Sequence, residues 1–479
     1  MRIGPALMLL AQVCLVAAGA EPARRDRPPA YIPEPQPAPT KLLIGAHHCP
    51  LWERDQPEMW DQVVKHPERT PALGFYSQEN PEVADWETKW AVEHGISFFV
   101  YCWYRDGQGG PVKTRFSSAI HDALFKSRYA SKIKFTIMWE NQARGKAGVA
   151  NEADLLENLL PFWVQNYFRH PSYLKIDNRP LLFIYRPEFL VQDLGSVERV
   201  RAAFEKMRAA CRQAGFDGLY LLGEYRGLDP NHLRLMRSLG LDYTFAYCWH
   251  VQGNPSPQRA IAAQLDYIAK TREMGILPQV ITVSQGWSGW HDEGSIWKIP
   301  PKDYQELLRK AKDLVESQPA SELGSKMLLL DNWNEWSEGH YIAPHREYGF
   351  GYLDAVRDVF SSAPKEHTDL LPEQIGMGPY DRAYKRHVES GYRPGAARLF
   401  PRQAEIAGAS SAVEGGRAAA GRGSTEGFPS EAWSRSCGCP IPVRTEVAPV
   451  ANGSRPASER QPSWGGRRRG TPPIAACPE

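Results

Sequence analysis

The sequence predicts a closed (β/α)8 barrel of the TIM type, and three observations carry this prediction. Eight short runs rich in Val, Ile, Leu, Phe and Tyr fit buried strands better than helices. Helix-like segments separate most of these runs. The alternation covers roughly 320 residues, which suits one such barrel. A doubly wound open sheet is the alternative, but the turn after the first run, AHHCPLW, lacks a glycine-rich phosphate motif.

The predicted strands recur at intervals along the chain, and the segments between them have the apolar spacing of helices. The strands are KLLIGAHH (41–48), GISFFVYCWY (95–104), IKFTIMWEN (133–141), RPLLFIYRP (179–187), GLYLLGEY (218–225), LDYTFAYCWH (241–250), LPQVITVSQGW (277–287) and KMLLLDNWNEW (326–336). The helices, with apolar residues three and four apart, are 82–95, 153–168, 196–215, 255–275 and 301–317. This alternation of strand and helix is what predicts the barrel.

The barrel domain is predicted to occupy residues 41–365 and to carry flanking segments of different composition. Residues 1–20 have a basic start, an apolar stretch and a small-residue end, which is typical of a cleaved signal peptide. We therefore expect a secreted or periplasmic protein, with an uncleaved membrane anchor as the alternative. Residues 21–40 are Pro-rich and predict an extended linker, and residues 366–395 form a C-terminal extension. Residues 396–479 are rich in Gly, Ala, Ser, Pro and Arg and predict a disordered tail.

Composition and motifs argue against several kinds of partner. The 479 residues have a formal net charge of +2, so electrostatics favours neither nucleic acid nor a membrane surface. No later run reaches ~18 apolar residues, so we expect no membrane span after signal cleavage. Cys49, Cys102 and Cys248 lie in apolar runs and are expected to be buried thiols, although export also allows a Cys49–Cys102 disulfide if their strands are neighbours. With neither a CxxC nor an HExxH motif we expect no metal and no cofactor, and with no partner surface indicated we expect a monomer.

Aromatic and polar residues stand at the carboxyl end of every predicted strand. In a (β/α)8 barrel, the loops that follow these ends build the active site. Sugar rings pack their C–H faces on aromatic rings and hydrogen-bond through their hydroxyls, so this mixture points to an oligo- or polysaccharide substrate. The candidate substrate-binding residues are Trp103, Tyr104, Trp139, Glu140, Asn141, Tyr185, Glu224, Tyr225, Trp249, His250, Trp287, Asn334, Trp336, His340 and Tyr341. Each of them could equally be a packing residue, so the prediction rests on the set.

The last predicted strand ends in DNWNEWSEGHYIAP, residues 331–344, which contains two glutamates three residues apart. Cleavage of a glycosidic bond usually needs two carboxyl groups, one to protonate the leaving oxygen and one to act as nucleophile or base. If the chain turns helically after the strand, Glu335 and Glu338 project to one side with Cβ atoms about 5–6 Å apart. That separation is compatible with retention of the anomeric configuration, for which the carboxyl groups stand ~5–5.5 Å apart. Two close carboxylates do not both ionise easily, so we also expect one raised pKa.

Several motifs resemble the glycoside hydrolase family 99-like domains, also known as WbsX-type domains. NWNEWSEGHYIAPHREYGFGYLDAV is similar to the family's final-strand signature, GISFFVYCWY to its second strand, MWEN to its third and IDNRPLLFIYRP to a further strand. The likeness covers about residues 41–360. The chain departs from the pattern at Ala343, where the family usually has Glu, and in the stretch GWSGWHDEG, so the likeness does not identify the sugar.

The resemblance implies a single catalytic (β/α)8 domain that acts on α-linked glycans such as mannans, endo-acting and with retention. In the implied mechanism, Glu335 deprotonates the substrate 2-hydroxyl, which attacks the anomeric carbon to give a 1,2-anhydro sugar, and Glu338 is general acid and then base. Carboxyl spacing alone leaves a direct nucleophile open. We therefore expect a secreted glycoside hydrolase of polysaccharide degradation. The alternatives are a glycosyltransferase of surface polysaccharide synthesis, against which predicted export and the missing DxD motif argue, and a non-catalytic carbohydrate-binding barrel.

Overall fold

Eight parallel strands form the central barrel, as the sequence predicts. The computed structural model describes residues 31–143, 145–289 and 296–391. The barrel strands are β1 Leu43–His48, β2 Phe98–Arg105, β3 Lys134–Glu140, β4 Arg179–Ile184, β5 Tyr220–Glu224, β6 Tyr243–Phe245, β7 Thr282–Ser284 and β8 Met327–Asp331. Each overlaps one predicted run, but most are shorter, because the ends of the runs belong to the loops.

The strands are hydrogen-bonded in the order β6-β5-β4-β3-β2-β1-β8-β7, and each of these neighbouring pairs is parallel. A short parallel bridge joins the two ends of this order, where Thr244 of β6 pairs with Gln279 just before β7. The amide of Val280 donates to the carbonyl of Thr244 over 2.9 Å at this seam. The sheet thus closes on itself, which protects strand edges from pairing with other chains.

A helical segment follows each strand and covers the barrel from outside. These segments are α1 Pro81–Glu93, α2 119–126, α3 154–168, α4 Val197–Gln213, α5 Pro230–Leu239, α6 Pro257–Met274, α7 Pro301–Glu316 and α8 Gly351–Phe360. Their starts follow local sequence rules, since the side chains of Ser196 and Ser256 accept hydrogen bonds from backbone amides in the first turns of α4 and α6. The helices bury the outer faces of the strands, so strands buried on both sides read as continuous apolar runs.

Alternation along each strand decides which side chains face the barrel interior. In β2, Cys102 belongs to the inner face, where its Sγ lies 3.8 Å from the Tyr247 hydroxyl. The next residue, Trp103, points outward and packs against Trp163 of α3. Tyr104 returns to the inner face. All eight strands end at the same end of the barrel, which is where the candidate site lies.

The segment before the barrel, predicted as an extended linker, packs against the barrel over its described part. Residues 31–40 are extended, but Ile32 is buried and the amide of Ala38 donates to the carbonyl of Val92 over 2.8 Å. The apolar side chains between the prolines cover α1 and bury surface there, so this part does not behave as a free linker.

The predicted C-terminal extension packs back onto the barrel in its described part. It contains a further helix, α9 Arg382–Glu389. The indole of Trp90 in α1 donates to the carbonyl of Leu370 over 3.0 Å, and the hydroxyl of Tyr384 donates to Asp61 over 3.2 Å. The extension is therefore part of the barrel's outer layer.

Some expectations lie partly or wholly outside the described residues. These include the predicted signal peptide, residues 21–30 of the linker and the tail from residue 396. Across the described ranges, no helix combines the length and apolarity needed to cross a membrane. Cys49, Cys102 and Cys248 are buried free thiols, which confirms that expectation and excludes the disulfide alternative in this structure.

Candidate active site

The two glutamates of the DNWNEWSEG stretch lie on a β-hairpin directly after β8. Strand Asn334–Glu335 pairs antiparallel with His340–Tyr341, and residues 336–339 form the turn. Gly339 suits this turn because its φ of +71° is left-handed and a Cβ there would lie 2.5 Å from Ser288 Oγ. The helical turn expected from the three-residue spacing does not form, because the backbone pairs across the loop instead of winding onward.

The hairpin brings the two carboxyl groups together, as expected. Oxygen atoms of Glu335 and Glu338 lie within 4.8 Å of each other and of a His340 ring nitrogen, and the two residues are only 4% and 7% exposed. Burial, and then the negative charge of Glu338, raise the pKa of Glu335 to about 7. The hydroxyls of Tyr247 and Ser337 donate to Glu335 over 3.3 and 3.2 Å. Near neutral pH this carboxyl group can therefore either take up or release a proton.

His340 joins the second glutamate to a third acid. Its Nδ1 lies 2.6 Å from Asp331 Oδ1, and its Nε2 lies 2.9 Å from Glu338 Oε2. Burial by itself lowers the pKa of His340, but the carboxyl groups of Asp331 and Glu338 outweigh burial and hold that pKa well above its usual range. The ring is therefore a buried imidazolium that donates to both carboxylates and offsets their charge.

Arg226 supplies a second cation on the wall formed by β4, β5 and β6. Its guanidinium donates to Glu224 Oε1 over 2.7 Å and to the Tyr185 hydroxyl over 3.3 Å. Tyr247 links this wall to the hairpin, since its ring centroid lies 5.7 Å from that of Tyr185 and 5.8 Å from that of His340. Fixed charges and donors thus line the barrel interior next to the carboxyl pair, where they can stabilise charge that develops in a reaction.

Other predicted residues reach the same end of the barrel. Tyr104 of β2 is the register partner of Glu140 of β3, and burial raises the pKa of Glu140 to about 7. The Trp287 ring centroid lies 5.2 Å from that of His340 and 5.8 Å from that of His250. From the predicted set, the structure brings together Tyr104, Glu140, Tyr185, Glu224, His250, Trp287, Glu335, Glu338 and His340.

Three predicted tryptophans face the helical layer, which corrects the prediction that they bind substrate. Trp103 and Trp139 pack against Trp163 of α3, with ring centroids 5.5 and 5.3 Å away. Trp249 stacks on Tyr267 of α6 at 5.6 Å. All three are at most 1% exposed. Alternation along β2 and β3 places Trp103 and Trp139 on the outer face, whereas Trp249 lies beyond the end of β6 at Phe245, where the loop path directs it outward.

Two predicted asparagines hold loops instead of facing the site. The Asn141 amide accepts from the backbone N–H of Arg186 and donates to its carbonyl, both over 2.8 Å. The Asn334 side chain accepts from the backbone N–H of Cys49 over 2.7 Å and donates to the Tyr76 hydroxyl over 3.1 Å. Both amides are buried, so their role is to satisfy backbone and hydroxyl groups that would otherwise lack partners.

The remaining predicted aromatic residues also have packing roles. Trp336 and Tyr341 contact each other behind the hairpin, with ring centroids 4.6 Å apart, and both are buried. Tyr225 stacks on His232 at 4.4 Å in the loop before α5. Burial removes Trp336 and Tyr341 from the surface that a sugar could reach, whereas Tyr225 is half-buried and its role in binding stays a prediction.

Sequence analysis missed Asp331, Tyr247, Arg226 and Cys248 as site residues. The sequence does contain a signal for Asp331, because this residue ends the apolar run MLLLD and should be buried with it. A buried carboxylate is rarely found without a partner, so a charged or hydrogen-bonding neighbour is expected there. Tyr247 comes two residues after Phe245, so alternation extends the inner face of β6 to it. No local signal marks Arg226 and Cys248, because their 2.8 Å contact joins loops distant in sequence.

The acidic residues around His340 also resemble a metal-binding cluster. The ligand atoms of Glu335, Glu338 and His340 lie within 4.8 Å of one another, as do those of Cys248, Asp331 and His340. Both ring nitrogens of His340 already face carboxylate oxygens at hydrogen-bond distance, so ion pairing accounts for the arrangement. The expectation of no metal and no cofactor stays a prediction.

The sequence matches one family model and two curated proteins. The family model, described as "Glycosyltransferase WbsX", matches residues 62–356. Both curated proteins are named "Uncharacterized protein WxcX", come from two strains of Xanthomonas campestris pv. campestris, and are 26% identical over 371 residues. The matches cover 71% of this chain and 50% of each relative. The chain thus spans about half the length of the curated relatives it matches.

Similar solved structures include two of a GH99 endo-alpha-mannosidase from Bacteroides thetaiotaomicron. One is 17% identical, with a TM-score of 0.41, and the similarity covers 73% of this chain and 98% of that chain. The other is 15% identical, with a TM-score of 0.41, and covers 63% and 88% respectively. An endo-beta-mannanase/endo-beta-glucanase from Prevotella bryantii is 12% identical, with a TM-score of 0.33, over 63% of this chain and 43% of that chain. These similarities are too distant to assign an activity.

Proposed function

This chain belongs to the family described as glycosyltransferase WbsX, and we propose that its barrel is a retaining glycoside hydrolase that acts on α-linked glycans. Family membership supports a role in carbohydrate chemistry. The observation that carries the proposal of hydrolysis is the buried pair Glu335 and Glu338, with carboxyl oxygens within 4.8 Å. Retaining glycosidases hold their carboxyl groups ~5–5.5 Å apart, whereas inverting ones need ~6.5–9.5 Å to admit a water.

In the first half of the proposed reaction, Glu335 accepts the proton of the substrate 2-hydroxyl. Burial is the larger cause of the raised Glu335 pKa and remains when Glu338 is protonated, so Glu335 is a stronger base than an exposed glutamate. The 2-oxygen then forms a bond to the anomeric carbon as the bond to the leaving oxygen breaks, and Glu338 gives its proton to that oxygen. The products are a 1,2-anhydro sugar and the shortened glycan.

In the second half, water attacks the anomeric carbon and opens the three-membered ring. Glu338 accepts a proton from this water, and Glu335 returns its proton to the 2-oxygen. Two displacements at one carbon restore the original anomeric configuration, so the proposal requires retention.

His340 serves Glu338 in this scheme. Glu338 must hold a proton before it can act as an acid, and the Nε2–H of the imidazolium lies 2.9 Å from its Oε2. This contact holds the Glu338 carboxyl group in place, while Asp331, at 2.6 Å from Nδ1, keeps the ring oriented. His340 is thus a positioning residue, and Glu338 takes its proton from solvent before the reaction.

The sugar is proposed to lie against the aromatic and polar side chains that share the barrel end with the glutamates. Tyr104, Glu140, Tyr185, His250 and Trp287 are the proposed contacts. A sugar ring can pack on the aromatic faces and hydrogen-bond to the carboxyl, imidazole and phenol groups. The predicted signal peptide supports action outside the cytoplasm.

The family's description favours sugar transfer as a second candidate. A retaining transferase could use the same pair of glutamates, with an acceptor hydroxyl in the place of water. Predicted export argues against this candidate, because nucleotide-sugar donors are made inside cells. The sequence also lacks a DxD motif that would hold a metal-bound nucleotide.

The test incubates wild type and Glu338→Gln with α-mannans and with bacterial and algal polysaccharides, and follows new reducing ends by proton NMR. Glu205→Gln is the matched control, since Glu205 lies on the outside of α4 with a side chain 60% exposed. We expect wild type and control to release the substrate's own anomer first, and Glu338→Gln to be slower by at least ~10²-fold.

Three results would count against the proposal. An initially inverted anomer would exclude retention, and full activity of Glu338→Gln would exclude its role. Turnover only with a nucleotide sugar and an acceptor would establish the transferase instead. A substrate whose 2-hydroxyl is replaced by hydrogen or fluorine separates the two retaining mechanisms, because only a direct carboxylate nucleophile can form a covalent intermediate with it.

A further inference from the structure

A second cluster of titratable side chains lies at the opposite end of the barrel from the glutamates. His94 follows the last residue of α1, whose chain then leads into the N-terminal end of β2. His367 and Asp369 belong to the C-terminal extension that follows α8. One ring nitrogen of each histidine and one carboxylate oxygen of Asp369 lie within 4.8 Å of one another. The extension thus meets the barrel through three groups that are all capable of binding a metal ion.

His94 Nε2, His367 Nε2 and Asp369 Oδ1 are buried and form no hydrogen bond within the described ranges, although they lie at ion-pair distances from one another. His94 also faces Asp354, and His367 faces Glu93 Oε2 over 3.7 Å. The side chain of His94 is 0% exposed, and those of His367 and Asp369 are 19% and 16% exposed. Buried polar atoms without partners are rare in folded proteins and call for an explanation, such as a bound ion. Here three such atoms converge on one point.

The tautomer of His94 sharpens this argument. Its Nδ1 lies 2.6 Å from the carbonyl oxygen of Trp90, which can only accept, so Nδ1 carries the proton. In the neutral ring, Nε2 then carries a lone pair that faces carboxylate oxygens of Asp354 and Asp369, at 3.6 and 3.5 Å. A lone pair facing two anions is repulsive unless a cation lies between them. Histidine ligands of metals typically donate their other ring N–H to a backbone carbonyl in this way.

Two of the three distances between these atoms are close to the edges of a metal coordination shell. Ligands ~2.0–2.2 Å from a tetrahedral Zn²⁺ stand about 3.3–3.6 Å from one another. The observed separations are 3.5 Å between His94 Nε2 and Asp369 Oδ1 and 3.2 Å between His367 Nε2 and Asp369 Oδ1. We propose that His94, His367 and Asp369 bind one Zn²⁺-like divalent cation, with Asp354 or water as the fourth ligand.

Such an ion would fasten the C-terminal extension to the barrel. The last carbonyl groups of α1 give that helix end a partial negative charge, which favours a cation there. An ion bound by both imidazoles and the carboxylate would connect the end of α1 to the segment between α8 and α9, which has little regular structure. The site lies at the amino-terminal end of the barrel strands, where residues contribute to stability and not to catalysis. It is therefore independent of the proposed glycosidase activity.

The alternative occupant is a second proton. Burial lowers the pKa of His94, but the carboxyl groups of Asp354 and Asp369 raise it to about 9. A doubly protonated His94 would neutralise the same two carboxylates without any metal. Direct metal analysis separates these cases.

The full-length protein is stripped with EDTA, supplied with ZnCl₂ and passed through gel filtration before its zinc content is measured. The test variants are His367→Ala and Asp369→Asn. His66→Ala is the matched control, since His66 is similarly exposed at 25% and pairs with Glu68 away from the cluster. Glu338→Gln reports on zinc held by the candidate active site.

We expect one zinc ion per chain in wild type, His66→Ala and Glu338→Gln, and a Tm that rises on addition of zinc. In His367→Ala and Asp369→Asn, zinc affinity should fall by more than about 100-fold, since even an outer-shell change costs 10–100-fold. Asp369→Asn keeps the side-chain size, so it reports on the ligand if His367→Ala does not fold. Zinc-free wild type, zinc retained by both test variants, or zinc lost from Glu338→Gln alone would each overturn the proposal.

Discussion

Replacing Glu338 by glutamine changes the pKa of Glu335 by an amount that the structure allows us to work out. One oxygen of each carboxyl group lies within 4.8 Å of the other, and two unit charges at that upper limit interact by about 3.5 kcal/mol at an effective dielectric constant of 20, which corresponds to about 2.5 pKa units. The His340 imidazolium, 2.9 Å from Glu338, offsets part of that charge. We therefore expect a fall of roughly 1–2 units. Burial is the larger cause of the raised pKa and remains in the variant, so the value should stay above that of an exposed glutamate.

The sign of this change follows from the charge that is removed. Loss of a neighbouring negative charge favours the ionised form of Glu335, so its pKa falls from about 7. If Glu335 is the base, the acidic limb of any residual activity moves to lower pH as well. The change is therefore visible both in a titration and in a rate profile.

Carbon-13 NMR of protein labelled at the glutamate carboxyl carbons measures this pKa without a substrate. The Glu335 resonance is assigned by its loss in Glu335→Gln, and Glu205→Gln is the control because that side chain is 60% exposed on α4. The control should leave the Glu335 pKa unchanged. An unchanged or higher pKa in Glu338→Gln would refute the coupling of the two carboxyl groups.

Three further predictions concern packing around the barrel. Arg105→Met removes the guanidinium that contacts the buried Asp154 carboxylate at 2.7 and 2.8 Å, and should lower the free energy of unfolding by about 3–5 kcal/mol at pH 7 in urea titrations. Burial alone would raise the pKa of Asp154, but Arg105 helps to hold it below its usual range. The stabilisation by this ion pair is therefore present above pH ~4 and lost in acid. A stability difference between wild type and Arg105→Met that does not shrink at low pH would contradict this assignment. Gly339→Ala puts a Cβ 2.5 Å from Ser288 Oγ at a left-handed φ and should lower the free energy of unfolding by about 1–3 kcal/mol. The rate of hydrolysis should fall at least about tenfold, because Glu338 shifts with the turn. Wild-type kinetics in this variant would show that activity does not depend on the exact hairpin geometry. Trp103→Phe should lower stability by about 1 kcal/mol through loss of an indole hydrogen bond while kcat and KM stay within about twofold, and a raised KM would restore Trp103 as a sugar contact.

The apolar runs located the barrel strands because strands covered by helices must be apolar on both faces. At their carboxyl ends, the same runs continue past the strands into the loops. The sixth run predicts a strand that extends to Trp249 and His250, whereas β6 ends at Phe245. Only His250 of the two faces the site, because beyond the strand the loop path decides side-chain direction.

Neighbouring residues of one strand illustrate a second limit. Trp103 and Tyr104 were equally good candidates from their types, yet one packs on α3 and the other lies beside Glu140. The inner or outer face depends on the register of the whole strand in the barrel. A one-residue uncertainty in register exchanges the two faces, so residue type alone could not separate them.

By itself, the amino-acid sequence determined the eight strands, their alternation with helices and the presence of Glu335 and Glu338 at the carboxyl end of the last strand. These features depend on local apolar patterning and on position along the chain, which a sequence displays directly. The tertiary structure decided that the glutamates meet on a hairpin, that His340 lies between Glu338 and Asp331, and that His94 faces the C-terminal extension. Such contacts, and the pKa of each group, depend on burial and on charges brought close from distant parts of the chain, which only the folded structure fixes.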